Sequence, residues 1–311
     1  MAKKYKFDLT VEANALLQAN PIEFYSRLYG MGSAAGNFRV LPGIKNSTKI
    51  ANVLFDQLIQ AADCDFTPTD STVDAITVDV CALSVQTSIC QYQLEQSWLA
   101  DQMSKGSNSD FTVASFMTYF WEQMSNKAHE ELALIMWQGD TGSGNAILNK
   151  CDGWLVRICA ATGIIRAAQN TVTASTVVDD LGDVLTLATD EMLTNAGANL
   201  QFKVSPNVAT AYRIATASAN TINYTTAALN LSFLDIKIVV EYGLPADTII
   251  LTDPNNFVYA LDAEGDMDSL QIVDFSKTTL DRRIGARADF KVGFYITNPT
   301  QIVFFGDCVA S

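Results

Sequence analysis

Between Asp110 and Gly139, apolar side chains return every three or four positions, at Val113, Met117, Phe120, Met124, Ala128, Leu132 and Ile135. Glu122, Asn126, Lys127 and Glu130 take much of the opposite side. This is the helical period, and it turns one apolar stripe toward a core. Ser109 or Asp110 can cap the start by accepting from unpaired N–H groups, and neither glycine nor proline interrupts the run before Gly139. A rod on the order of 40 Å follows. Phe116, Tyr119 and Trp121 widen the stripe. Two readings stay open: a helix packed on its own sheet, or one that also meets a neighbouring subunit through Phe116 and Trp121.

From Asn37 to about Ser97 the period drops to two. Phe38-Arg39-Val40-Leu41 reads as extended before the Pro42-Gly43 turn, and Asp63 to Asp70 is turn-rich. Ile76, Val78, Val80 and Ala82 then alternate with Thr77, Asp79, Cys81 and Leu83, as in a half-buried strand. The segment is expected to form a long β-hairpin. Two strands alone are marginal in water, so its apolar face needs a cover, and another chain is one source of it.

The rest of the chain alternates. Gly153-Trp154-Leu155-Val156-Arg157-Ile158 reads as a strand, and Thr176 to Asn195 as a helix with Val178, Leu181, Leu185, Ala188 and Met192 on one face. Leu200 to Val204 is a strand, and Ser205-Pro206 opens a helix from Asn207 to Ala215, with proline in the first-turn position it favours. Strands are expected at Ile236 to Val240, Thr248 to Leu251, Asp289 to Ile296 and Gln301 to Phe305. Residues 1–32 read as an arm with a short helical stretch at Pro21 to Tyr29.

Composition narrows the function classes. The 311 residues are 49% apolar and 17% charged, which suits a folded chain with a sizeable core. The formal net charge of −14 disfavours a dedicated nucleic-acid binder, which needs clustered Lys and Arg. No stretch approaches a membrane span, and MAKKYKFDLT has no apolar run of a signal peptide behind it. Without export, Cys64, Cys81, Cys90, Cys151, Cys159 and Cys308 are expected to be reduced thiols acting as small hydrophobes. With His129 the single histidine and no C-x-x-C pair, no zinc or other metal site and no cofactor is expected.

Four segments carry possible chemistry. Asp140-Thr141-Gly142-Ser143 has the D-T-G-S form of an aspartic protease, but a helix precedes it and no second copy exists, so a helix-ending loop is expected. The glycines around it lack the G-K-[ST] ending of a phosphate cradle. Asp262, Glu264, Asp266 and Asp268 miss the spacing of a calcium loop and read as a solvated acidic loop. Lys277, Arg282, Arg283, Arg287 and Lys291 concentrate positive charge, as a solvated face or as a surface meeting acidic neighbours or packaged nucleic acid.

Taken in order, the arm, hairpin, long helix, Gln138-Gly139-Asp140-Thr141-Gly142 turn and Cys151-Asp152-Gly153-Trp154-Leu155 are similar to the major capsid proteins of tailed bacteriophages. Phe202-Lys203-Val204-Ser205-Pro206, the strands from Leu234 to Leu251 and Arg287-Ala288-Asp289-Phe290-Lys291-Val292 extend the likeness over nearly the whole chain. The resemblance implies an α+β, Hong Kong 97-like capsid fold. Its parts would be an N-terminal arm (1–32), an extended hairpin loop (33–95), a peripheral domain with a spine helix (96–165 and 276–311) and an axial domain (166–275).

It further implies a non-enzymatic protein that assembles with itself as hexamers and pentamers into an icosahedral shell, built in the bacterial cytoplasm and carried in the virion. Double-stranded DNA would be enclosed without sequence specificity, with a portal as partner and no membrane. Some members carry a scaffolding segment ahead of the arm; here a separate scaffold protein is expected. Some crosslink a hairpin lysine to an asparagine; Lys45 and Lys49 sit in the hairpin without a matching partner, so crosslinking is not expected. The alternatives are an encapsulin-like compartment shell and a hydrolase using the Asp140 turn. The candidate interface residues are Phe116, Trp121, Lys45, Lys49, Arg282, Arg283 and Arg287.

Overall fold

A computed structural model of the chain describes residues 37–55, 71–90, 113–195, 199–218, 231–262, 271–275 and 283–308. In chain order the strands and helices are β1 (Arg39–Leu41), β2 (Ser47–Phe55), β3 (Ser71–Asp79), β4 (Cys81–Cys90), α1 (Val113–Gln138), α2 (Trp154–Ala160) and β5 (Ile165–Arg166). There follow α3 (Val177–Thr186), α4 (Asp190–Asn195), β6 (Gln201–Val204), α5 (Pro206–Ser218), β7 (Ser232–Phe233), β8 (Ile236–Val240) and β9 (Ile249–Thr252). The last are β10 (Phe257–Leu261), β11 (Gln271–Asp274), β12 (Arg283–Ile296) and β13 (Ile302–Phe305). The expected arm helix, the Asp63 to Asp70 turn, the Ser109 or Asp110 cap and the acidic loop beyond Asp262 lie outside the described residues.

Two compact units divide the described chain. The first comprises 82–90, 113–133, 262, 271–275 and 283–291; the second comprises 37–55, 71–81, 134–195, 199–218, 231–261 and 292–308. In the first, β11 pairs antiparallel with β12, Gln271 opposite Arg287 and Val273 opposite Gly285, and β4 also pairs with β12. In the second, β1 runs parallel to β10, and β10 antiparallel to residues 292–296 of β12.

The long helix forms where its period places it, and α1 is about 39 Å long. Ala128, Leu132 and Ile135 of the expected stripe are buried, as is Trp137, while Asn126, Lys127 and Glu130 are exposed. Gly139 ends it for a steric reason. A Cβ there would lie 2.2 Å from the Cys151 carbonyl oxygen and 2.4 Å from that of Ile135, so only glycine lets the two backbones meet.

The hairpin is narrower than the sequence suggested. β1 belongs to the β10 sheet, β4 leaves to pair with β12, and only β2 and β3 face each other, from Ser47 opposite Asp79 to Phe55 opposite Ser71. The alternation also changes phase at Val80. Ile76, Val78 and Val80 are inward, but Cys81, Leu83 and Val85 continue inward after it, and Ala82 is exposed. One extra residue between strands flips every later side chain, which a uniform period-two reading through Ala82 cannot register.

A six-stranded sheet, ordered β5-β13-β9-β6-β8-β7, makes the largest described core. β6, β9 and β13 are buried at every position. Val177, Leu181 and Val184 of α3, Met192 of α4, and Val208, Ala209 and Ala211 of α5 pack with Phe202, Val204, Ile249, Leu251, Val303 and Phe305. The single helix expected over 176–195 is therefore two, separated at Leu187 to Thr189, with the Thr189 hydroxyl accepting from Met192 N–H at 3.3 Å. The buried line of α3 begins at Val177, and Val178 is exposed.

Two further expectations are corrected. Trp154 to Ala160 is a helix: its β-branched and aromatic residues read as a strand, but Trp154 and Ile158, four apart, bury one helical face, and tertiary packing overrides local propensity. The thiols are not all reduced. Cys81 bonds Cys151 and Cys159 bonds Cys308, closing separations of 70 and 149 residues, each of which removes about 4–5 kcal/mol worth of unfolded-chain entropy in the loop-closure picture. Cys90 is free, and Cys64 lies outside the described residues.

Candidate functional site

The root of the β2–β3 ribbon is built residue by residue onto the β10–β12 pair. Ile44 donates its backbone N–H to Leu261 O at 3.0 Å, and Val80 closes the ribbon's base by donating to Asn46 O at 3.1 Å. Ile44, Val78, Val258, Ala260 and Tyr295 form a buried cluster against which Ile50, Ile76 and Val80 pack. The Tyr295 hydroxyl accepts from Asp79 N–H at 2.9 Å. Beside it the Asp79 carbonyl passes over Gly293, where a Cβ would stand 2.5 Å away. The absent side chain at 293 is what allows the ribbon to leave the sheet at this point.

Helix α2 holds this root from beneath. Trp154 Nε1–H is shared between Tyr295 O at 3.1 Å and Val258 O at 3.3 Å, and its ring meets Trp137, Phe38, Phe257 and Phe294 with centroids 4.6–5.6 Å apart. These edge and tilted contacts are the geometries that aromatic quadrupoles favour. The Arg157 guanidinium lies 3.7 Å above the Tyr295 ring, and Cys151 joins Cys81, two residues beyond the ribbon's last residue Asp79.

A buried charge closes the same region. Lys203 is fully buried; its Nζ donates to Asn37 O at 2.9 Å and to Glu241 Oε1 at 3.1 Å, and stands 4.0 Å from the centre of the Phe38 ring. Burial pushes the ammonium below the ordinary lysine value of 10.5, with the Glu241 carboxylate opposing that shift. The contact ties residues 37–38, just ahead of β1, to the six-stranded sheet. A lysine within the apolar strand run, with a glutamate directly after a later strand, was the visible signal, and the sequence reading passed over it.

The expected interface residues divide. Lys45 and Lys49 are exposed at the ribbon's root and on β2. Arg283 and Arg287 are exposed on one face of β12, but Arg287 Nε contacts both carboxylate oxygens of Asp289 at 3.0 Å, and Lys291 Nζ lies 3.7 Å from Asp262. The basic run is thus interleaved with acids and is a mixed-charge face. Arg282 and Lys277 lie outside the described residues. Phe116 and Trp121 stand on α1, and their side chains are outside what is described.

The Asp140 turn serves the loop that ends α1. Its Oδ1 accepts from Gly142 N–H at 2.8 Å, and Asp152 Oδ1 accepts from both the amide (2.9 Å) and the hydroxyl (2.8 Å) of Thr141. Gly153 N–H donates to Gly139 O at 2.8 Å and closes the loop on itself. Asp140 is here a turn-forming side chain that bonds the backbone two residues on.

No family model matches the chain, and no curated protein matches its sequence. Solved structures do. A capsid chain of the native GTA particle is 16% identical, with a TM-score of 0.56 over 89% of this chain and 91% of that one. A chain of the satellite phage P4 procapsid, a structure that includes the size determination protein, is 10% identical with a TM-score of 0.54, over 95% and 98%. A virus-like particle from Pyrococcus furiosus is 12% identical with a TM-score of 0.50, over 90% and 96%. At such identities the likeness concerns the path of the backbone, end to end, and on that ground this chain has the α+β fold of phage capsid shells.

Proposed function

We propose that the chain is the major capsid protein of a tailed double-stranded DNA bacteriophage, assembling as hexamers and pentamers into an icosahedral head around the genome. The observation that carries this reading is the end-to-end match: the fold covers 89–95% of this chain and 91–98% of the capsid chains it resembles. In this reading residues 1–32 are the arm, 33–95 the hairpin loop, 96–165 with 276–311 the peripheral domain and 166–275 the axial domain. The protein works in the virion after assembly in the host cytoplasm, and it is not an enzyme.

Assembly is driven by apolar burial spread over many contacts, with charge setting register. Phe116 and Trp121 on α1 and Lys45 and Lys49 on the ribbon are proposed subunit contacts, with Arg282, Arg283 and Arg287 meeting acids of a neighbour. A portal is the proposed partner at one vertex. A separate scaffold protein is also proposed. Enclosed DNA is held by confinement, since a chain of net charge −14 repels phosphate overall.

Electron microscopy of the purified chain tests this. Closed hollow particles or rings of five and six subunits are expected; monomers persisting at high concentration would sink the reading. Phe116→Ala and Trp121→Ala are expected to impair assembly more than folding, and loss of all soluble protein would return those rings to the private core. The virus-like particle match favours one second reading, a shell around other cargo, which predicts particles from the native source without nuclease-protected DNA.

A further inference from the structure

The two disulfides sit in opposite surroundings. Cys151 is 1% exposed, and its Sγ faces the Val292 carbonyl oxygen at 3.9 Å, the negative end of a dipole. Cys308 is exposed and Cys159 half-buried, and Arg166 spans them: its Nη1 is 2.7 Å from Cys308 Sγ, and its Nη2 donates to Cys159 O at 3.2 Å. Arg166 belongs to β5, which ends the order of the six-stranded sheet, and β5 pairs with β13, the strand that leads directly to Cys308. A disulfide with one exposed and one half-buried cysteine, a fixed guanidinium and a sheet edge therefore meet at one place.

A cation beside sulfur stabilises the thiolate, which is both the attacking species and the leaving group of thiol–disulfide exchange. We propose that Cys159–Cys308 is an exchange site for small-molecule thiols and disulfides, a latch that fastens the chain after β13 to the last turn of α2, while Cys81–Cys151 stays closed. In opening, a small thiolate attacks Cys159 Sγ and the sulfur–sulfur bond breaks. Cys308 leaves as the thiolate facing Arg166. A second small thiolate attacks the outer sulfur of the mixed disulfide, frees Cys159 as a thiolate and leaves as the small disulfide. Two small thiols are oxidised and one protein disulfide is reduced; closure is the reverse, with the small disulfide as oxidant. Opening leaves β13 in place, because its ladders to β9 and β5 do not use the sulfurs. The latch does not depend on the shell reading.

The test is timed labelling of the native full-length chain. Dithiothreitol opens the disulfides, N-ethylmaleimide traps the thiols, and peptide masses locate them, with free Cys90 as internal reference. Cys159 and Cys308 are expected to label about tenfold faster than Cys81 and Cys151. Reclosure by oxidised glutathione is expected to slow about fivefold or more in Arg166→Gln and to recover largely in Arg166→Lys, at an unchanged thermal midpoint. Equal or reversed labelling order, labelling of all four cysteines without reductant, or glutamine and lysine variants that reclose alike would overturn the proposal. The labelling order of the unaltered chain decides the matter if a variant does not fold.

Discussion

In the six-stranded sheet β6, β9 and β13 are buried at every position, and α3, α4 and α5 supply apolar side chains to the same core. The β2–β3 ribbon is two strands of nine paired residues, about 27 Å long, and its described apolar contacts gather at the root, around Ile44, Val78 and Tyr295. The first region satisfies itself. The second is fixed at one end by a buried cluster, a tyrosine hydroxyl and a disulfide, and two strands alone do not bury enough to hold the remainder in water. In the proposed function the cover for the ribbon's length is a neighbouring subunit.

Variants of the aromatic cluster beneath the root and of the six-stranded sheet should cost the monomer itself. Trp154→Ala removes the ring at the centre of the aromatic cluster and the Nε1–H donor shared by two carbonyls; a loss of about 3–5 kcal/mol is expected, seen as a lowered unfolding midpoint or loss of soluble protein. Lys203→Met leaves the Glu241 carboxylate buried and unpaired and should cost about 3–5 kcal/mol, most of it recovered by adding Glu241→Leu. The same lysine gives a pH signature. Because its folded value lies below 10.5, the unfolded chain holds the extra proton between the two values, and stability from this site rises with pH through that window. In Lys203→Met that rise should vanish from urea midpoints.

Variants of the root should separate folding from assembly. Gly293→Ala drives a methyl into the Asp79 carbonyl and is expected to cost about 1–3 kcal/mol while displacing the ribbon, so that circular dichroism stays near wild type and sedimentation shows lost assembly. Tyr295→Phe removes one acceptor and should cost about 1 kcal/mol. Lys45→Glu with Lys49→Glu, both exposed, should change stability by no more than about 0.5 kcal/mol, yet slow assembly in a salt-dependent way.

What could be read in advance was whatever depends on neighbours in sequence. The stripe of α1, its stop at Gly139 and the proline start of α5 at Pro206 all follow from local period and backbone chemistry. What escaped depends on partners far along the chain. Cysteines 70 and 149 residues apart carry no sign of their pairing, and Trp154-Leu155-Val156 is strand-like until the aromatic cluster is in place. The change of phase at Val80 hides inside a pattern that looks continuous. For the proposed interface, Lys45, Lys49, Arg283 and Arg287 proved exposed, but the acids interleaved along β12 show that counting cations does not define a patch.

The most direct measurement is a cryo-electron-microscopy reconstruction of particles assembled from the unaltered chain. The account predicts a closed shell in which each β2–β3 ribbon lies along an adjacent subunit beyond its root at Gly293 and Tyr295. Ribbons folded back onto their own chain, or a chain that forms no closed particle, would contradict it.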